Sequence, residues 1–187
     1  MTRNQLTGLS VGVALVAIIG LVAWMTLSGD HDGMHDAGET PMDDATFVAG
    51  MIPHHQGAVD MAQVVLDRST RPELRSLAED IIAAQNAEIE LMRTWQADGT
   101  VAAADAGHMD HDMMGGMSVD DVRNADDVDR AFIDAMIPHH QSAVMMAEQV
   151  KTQTDNPAIT KLADGIIAAQ EREIAQMREW RADWYGS

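Results

Sequence analysis

The sequence predicts an all-α protein: a four-helix bundle built from two repeated helical hairpins, preceded by an N-terminal transmembrane helix or signal segment. Three observations predict it. Residues 44–98 align with residues 129–183 without a gap, Met51 falling on Met136, and 28 of the 55 paired positions are identical. Within each copy apolar residues recur at helical spacing over two stretches, each second stretch opening on a proline, Pro72 or Pro157. An amphipathic hairpin cannot bury its apolar face alone, so two equal hairpins pair. The sharpest part of the repeat is Met51-Ile52-Pro53-His54-His55-Gln56, written again as Met136-Ile137-Pro138-His139-His140-Gln141.

At the N-terminus, Leu6 to Leu27 carries no charge and is long enough to cross a bilayer, which takes about 20 residues. Arg3 before it and Asp30 and Asp32 after it place the remainder of the chain outside the cytoplasm. Residues 1–28 therefore read as a membrane anchor or a signal peptide. The length of the apolar run favours the anchor, while Thr26-Leu27-Ser28 is a tolerable cleavage site. Residues 29–43 are rich in Gly and acid and are expected to form a disordered tether, although they contain His31, Met34, His35 and Met42.

The working domain is expected over residues 44–186. Helices are predicted over Asp44 to Leu66, Pro72 to Asp98, Asp129 to Thr152 and Pro157 to Trp184, the last led by Asn156 as N-cap. Pro53 and Pro138 fall inside the first and third, where each is expected to kink the helix or start a new one. The linker 99–124 holds His108, Met109, His111, Met113, Met114 and Met117 within ten residues, and is too rich in Gly and Asp to make a good helix.

Composition narrows the chemistry. With 30 acidic and 12 basic side chains the formal charge is -18, which repels nucleic acid and attracts cations. No cysteine is present, so disulfides and thiolate sites are excluded; 15 Met and 8 His remain as soft ligands. Thioether and imidazole without thiol suit copper, Cu(I) above all, outside the cytoplasm; methionine also serves as flexible core filler.

Advancing 100° per residue puts Gln85 at the centre of the apolar face of the second helix, among Leu74, Ala78, Ile81, Ile89 and Met92, with Glu88 on the shoulder. Gln170, Glu173 and Met177 repeat this on the fourth. On the first helix His55 shares the inward face with Met51, whereas His54 points about 100° away beside Met61. His140 with Met136, and His139 with Met146, follow the same division, and Met145 is an addition of the second copy. Two readings of the inward set stand side by side. His55, Gln85 and Glu88 satisfy one another by hydrogen bonds, or Met51 and His55, one turn apart, chelate a metal. A carboxylate–imidazole centre for iron, manganese or zinc is a further alternative; it requires Asp44, His55, Glu88, Asp129, His140 and Glu173 to converge. A structural module that binds no metal is the third.

The run Met-Ile-Pro-His-His-Gln-x-Ala-Val-x-Met-Ala, followed by Ile-Ile-Ala-Ala-Gln-x-x-Glu-Ile and Met-Arg-x-Trp, resembles the domain-of-unknown-function 305 family over residues 44 to 184. The resemblance implies a ferritin-like four-helix fold and a link to extracytoplasmic copper binding and copper tolerance. Carried to this chain, it points to Met51, His54, His55, Met61, Glu88 and Met92, with Met136, His139, His140, Met146, Glu173 and Met177. The Glu-x-x-His pairs of ferritin-like di-iron proteins are absent, and the sequence offers no nucleophile elbow, phosphate-binding loop or other catalytic signature. The expected function is extracytoplasmic copper binding, for sequestration or transfer, by a protein that is not an enzyme. Its partners are metal ions and, through the N-terminal segment, a membrane.

Overall fold

The computed structural model describes residues 42–104 and 118–186. The expected membrane anchor or signal (1–28), the tether up to residue 41 and the Met/His tract 108–117 lie outside the described residues. Among the described residues no helix is long and apolar enough to cross a membrane.

Every regular element described is helical: α1 Asp44–Arg68, α2 Pro72–Asp98, α3 Val119–Asn124, α4 Val128–Lys151 and α5 Pro157–Tyr185. The starts are chemically marked. Asp43, Asp127 and Asn156 cap α1, α4 and α5 by accepting backbone N–H bonds at 2.8, 3.0 and 2.9 Å. The N-cap of α2, Arg71, makes no side-chain cap bond, and Pro72 opens this helix, where its missing N–H leaves nothing unpaired. α2 ends at Gly99 with φ 77°, a left-handed stop that glycine adopts without strain.

Of the two outcomes expected at Pro53 and Pro138, a new helix start is excluded, because α1 and α4 continue as helix through both. Two further expectations need correction. The linker is not wholly irregular: Ser118 and Asp121 form a reciprocal capping box that starts the six-residue α3, and Val122 buries its side chain. Met42 and Asp43, expected in the tether, belong to the helical domain, because Met42 is 5% exposed in the core and Asp43 is the cap of α1.

α1 packs on α2 and α4 on α5, forming the two hairpins; α1 also packs on α4 and thereby joins them, with α3 lying against both. The apolar interior falls into two clusters, and each draws on both repeats. One gathers Met61, Leu74, Ile81, Phe132, Met136 and Met177. The other gathers Met42, Phe47, Met51, Met92, Met146 and Ile166. Met61 and Met146, expected on helix flanks, are 2% and 3% exposed. The α1–α4 contact covers a second face of each helix and takes these methionines inside. Each cluster thus combines two methionines from one repeat's inward face with one from the other repeat, and the second adds Met42 from ahead of the first repeat.

The C-terminal end of α5 is fastened by aromatic and ionic contacts. Trp180 and Trp184 stack at 5.3 Å, and the Arg71 guanidinium lies 4.1 Å above the Trp184 ring while bonding Asp129 at 3.1 Å. Phe47 and Phe132, equivalent positions of the repeat, are both fully buried. Replacing either by alanine is expected to lower unfolding free energy by about 3–5 kcal/mol in urea titrations. Met145→Ala, at a side chain 62% exposed, is expected to stay within about 0.5 kcal/mol of the parent.

Candidate metal centre

The histidine pairs occupy the middles of α1 and α4, the helices that join the hairpins. All four are buried: His54 and His139 at 2% exposure, His55 and His140 at 0%. The projection that turned His55 inward is met, but His54 and His139 are not lateral. They meet each other across the α1–α4 contact with ring centroids 3.8 Å apart and planes at 39°. The projection of one helix registers one buried direction, whereas α1 has neighbours on two sides.

His55 and His140 point into their own hairpins. His55 Nε2 lies 2.7 Å from Glu88 Oε2, and His140 Nε2 lies 2.6 Å from Glu173 Oε2. The repeat also keeps the spacing of each pair, His54 to His55 and His139 to His140 both measuring 6.3 Å between ring centroids. Gln85 and Gln170 are 3% exposed, and their Oε1 atoms have no hydrogen-bond partner, so the expected His–Gln–Glu network is formed only as His–Glu pairs.

One residue overlooked in the sequence completes the arrangement. Ser142 Oγ donates to the His139 carbonyl at 2.9 Å and lies 2.6 Å from His54 Nε2. A hydroxyl has one proton, and with that proton on the carbonyl bond His54 must donate its own Nε2–H. Its Nδ1 then carries the lone pair. The same logic holds for His55 and His140, whose Nε2–H groups donate to carboxylates. The hydrogen bonds therefore leave Nδ1 as the basic nitrogen of three rings, and none of these atoms has a partner. His139 differs, with neither ring nitrogen partnered, because the position equivalent to Ser142 is Gly57. That single difference, following an otherwise identical six-residue run, was the available signal.

Electrostatics keep the central rings neutral. Burial pushes His54 down to about 3 from 6.5, with repulsion from His55 and His140 acting in the same direction and the His139 backbone opposing it. His139 is held well below 6.5 by burial first, then by His54, His140 and His55. Neutral imidazole is the form that binds metal, so protons do not compete for these rings in mild acid.

The alternative six-residue carboxylate–imidazole centre is not assembled among the described residues. Among the described residues no three His, Asp or Glu side chains are grouped so as to hold a metal ion. Asp129 is bound by Arg71, and the two His–Glu pairs belong to different hairpins. His108, Met109, His111, Met113, Met114 and Met117 lie outside the described residues.

Comparison with known proteins adds to this geometry. The profile of the family described as Domain of unknown function (DUF305) matches residues 44–181. CopM in its Cu(II)-bound form is 44% identical with a TM-score of 0.70, the alignment covering 76% of this chain and 98% of CopM. CopM in its Cu(I)-bound form is 42% identical with a TM-score of 0.69, covering 77% and 99%. A DUF305 fragment from Deinococcus radiodurans is 30% identical with a TM-score of 0.64, covering 75% and 95%. Uncharacterized protein L153 of Acanthamoeba polyphaga mimivirus is 40% identical over 53 residues, a match spanning 28% of this chain and only 35% of that protein.

The depressed His54 and His139 give a pH dependence with a definite sign. Above pH 6.5 folded and unfolded chains are both neutral at these rings. Below it the unfolded chain takes up protons that the folded chain refuses, so stability declines as pH falls from 6.5 towards 3. Melting temperatures of metal-free protein between pH 7 and 4 are expected to fall less steeply in a His54→Leu/His139→Leu variant than in the parent.

Proposed function

We propose that this chain, which belongs to the DUF305 family, binds copper as its cargo, outside the cytoplasm, and stores or hands on the metal without catalytic turnover. The observation that carries the reading is the set of four buried imidazoles, two of them meeting across the contact between the repeats, each with an unpartnered Nδ1. A buried polar atom without a hydrogen bond costs roughly 1–3 kcal/mol, and the chain carries this burden in both copies, at one more atom in the second. A bound soft cation would relieve it. The solved copper-bound forms of CopM, over 40% identical to this chain, support the same metal.

Cu(I) is the favoured state. His54, His55, His139 and His140 supply imidazole, and the two clusters supply thioether from Met51, Met92 and Met146 and from Met61, Met136 and Met177. Zinc takes four ligands as a rule, and iron or manganese prefer carboxylates; the described residues hold no group of three or more hard donors. Glu88 and Glu173 then act through His55 and His140, fixing tautomer and orientation, rather than as direct ligands. The tract His108 to Met117 is assigned to capture of metal from solution, and the N-terminal segment to export or anchoring. The helices form the ferritin-like scaffold that the family resemblance implies, used here without di-iron chemistry.

Competition of the full chain against a chromophoric Cu(I) chelator tests the reading. His54→Leu/His139→Leu is expected to weaken binding at least tenfold, and His55→Leu/His140→Leu to do likewise. Glu88→Gln/Glu173→Gln, which keeps an acceptor for Nε2–H, is expected to weaken it by a smaller factor. Parent affinity in all three folded variants would refute the assignment.

A further inference from the structure

An open groove of about 450 Å³ runs between the C-terminal half of α2 and the N-terminal half of α5. Its lining includes Leu91, Trp95, Ala158, Lys161, Leu162 and Gly165, with Glu88 at one edge, hydrogen-bonded to His55. That volume lies in the usual range for small-molecule sites.

The duplication supplies a control for this groove. Moving each lining residue to its repeat equivalent gives Gln176 for Leu91, Glu73 for Ala158, Ser76 for Lys161 and Asp80 for Gly165, while Glu, Trp and Leu are kept at the other three positions. All four changes run one way. Two acids and two neutral polar groups on the twin surface become three apolar or bare positions and a lysine. Gly165 has no conformational need for glycine: it carries no positive φ, and a Cβ there would meet nothing within 4 Å. Glycine inside a helix is unfavourable, and at this position it leaves the groove wide.

Lys161 sharpens the chemistry. The chain has two lysines, and Lys151 is paired with Asp164 at 2.5 Å. Lys161 makes no ion pair or hydrogen bond among the described residues, in a protein of net charge -18. Leu91, 41% exposed, is one of two large hydrophobic side chains exposed among the described residues. An unpaired cation beside an apolar trough complements a ligand with an apolar body and one negative head.

We infer that the α2–α5 groove is a binding site for a free medium-chain aliphatic carboxylate, the chain lying along Leu91, Trp95 and Leu162 and the carboxylate meeting Lys161. The site is independent of the copper reading.

Calorimetric titration of copper-free full-length protein with sodium decanoate, below its micellar concentration, tests this. One-to-one binding is expected, weakened at least tenfold in a Leu91→Gln/Lys161→Ser/Gly165→Asp variant that restores the twin's residues. All three positions are exposed, and circular dichroism checks that the helices are retained. The single variant Lys161→Ser, which leaves the trough intact, is expected to weaken binding by a smaller factor and provides the measurement if the triple variant fails to fold. Absence of binding, equal affinity for decyltrimethylammonium, or parent affinity in Lys161→Ser would overturn the inference. Retention only on phosphatidylglycerol vesicles would also overturn it, and would make the groove a membrane contact.

Discussion

His54 and His139 meet in the contact between α1 and α4 with ring centroids 3.8 Å apart and planes tilted by 39°, and the electrostatics of the centre follow from that contact. Two imidazoles stripped of water cannot both be protonated there, which is why burial drives both far below the usual histidine range. Kept neutral, they are small polar plates with lone pairs. Among the described residues the Ser142 hydroxyl is the side-chain partner that orients His54, and neither ring nitrogen of His139 has a hydrogen-bond partner. A hydrophobic pair would hold the hairpins together at lower cost. Both copies of the repeat nevertheless place a histidine at this contact.

The joining of the hairpins has a second consequence. Because α1 and α4 cover each other, the side of each helix that a lone hairpin would leave wet becomes interior, and Met61 and Met146 enter the opposite repeat's cluster. Neither repeat by itself assembles a full set of three inward methionines. The pairing therefore buries thioethers of both repeats in each cluster, and an ion bound across the α1–α4 contact would also stabilise the union of the halves.

Much of this was readable from the residues. The four long helices follow from period, prolines and caps, and Gln85, Gln170, His55 and His140 point inward as the projection requires. The lateral placement of His54 was misleading for a geometric reason: a projection about one axis carries no information on a second neighbour. α3 was hidden by the Gly- and Asp-rich tract before it, although Ser118 and Asp121 stand at capping-box spacing. Met42 reads as tether because its sequence neighbours are polar, yet its apolar side chain belongs to a core cluster.

The departures from the repeat are as informative as its identities. Glycine at position 57 against Ser142 makes the two central imidazoles inequivalent: His54 has its tautomer fixed by a hydroxyl, while His139 is free to present either nitrogen. A fixed ring offers a preformed ligand, and an unfixed one can follow an incoming ion. Identical rings facing each other would have to adapt equally or not at all. A pair with one anchored and one adaptable member has one fixed and one adjustable lone pair. The duplication provided two copies of each ring, and divergence at a single neighbouring residue gave them different hydrogen-bonded states.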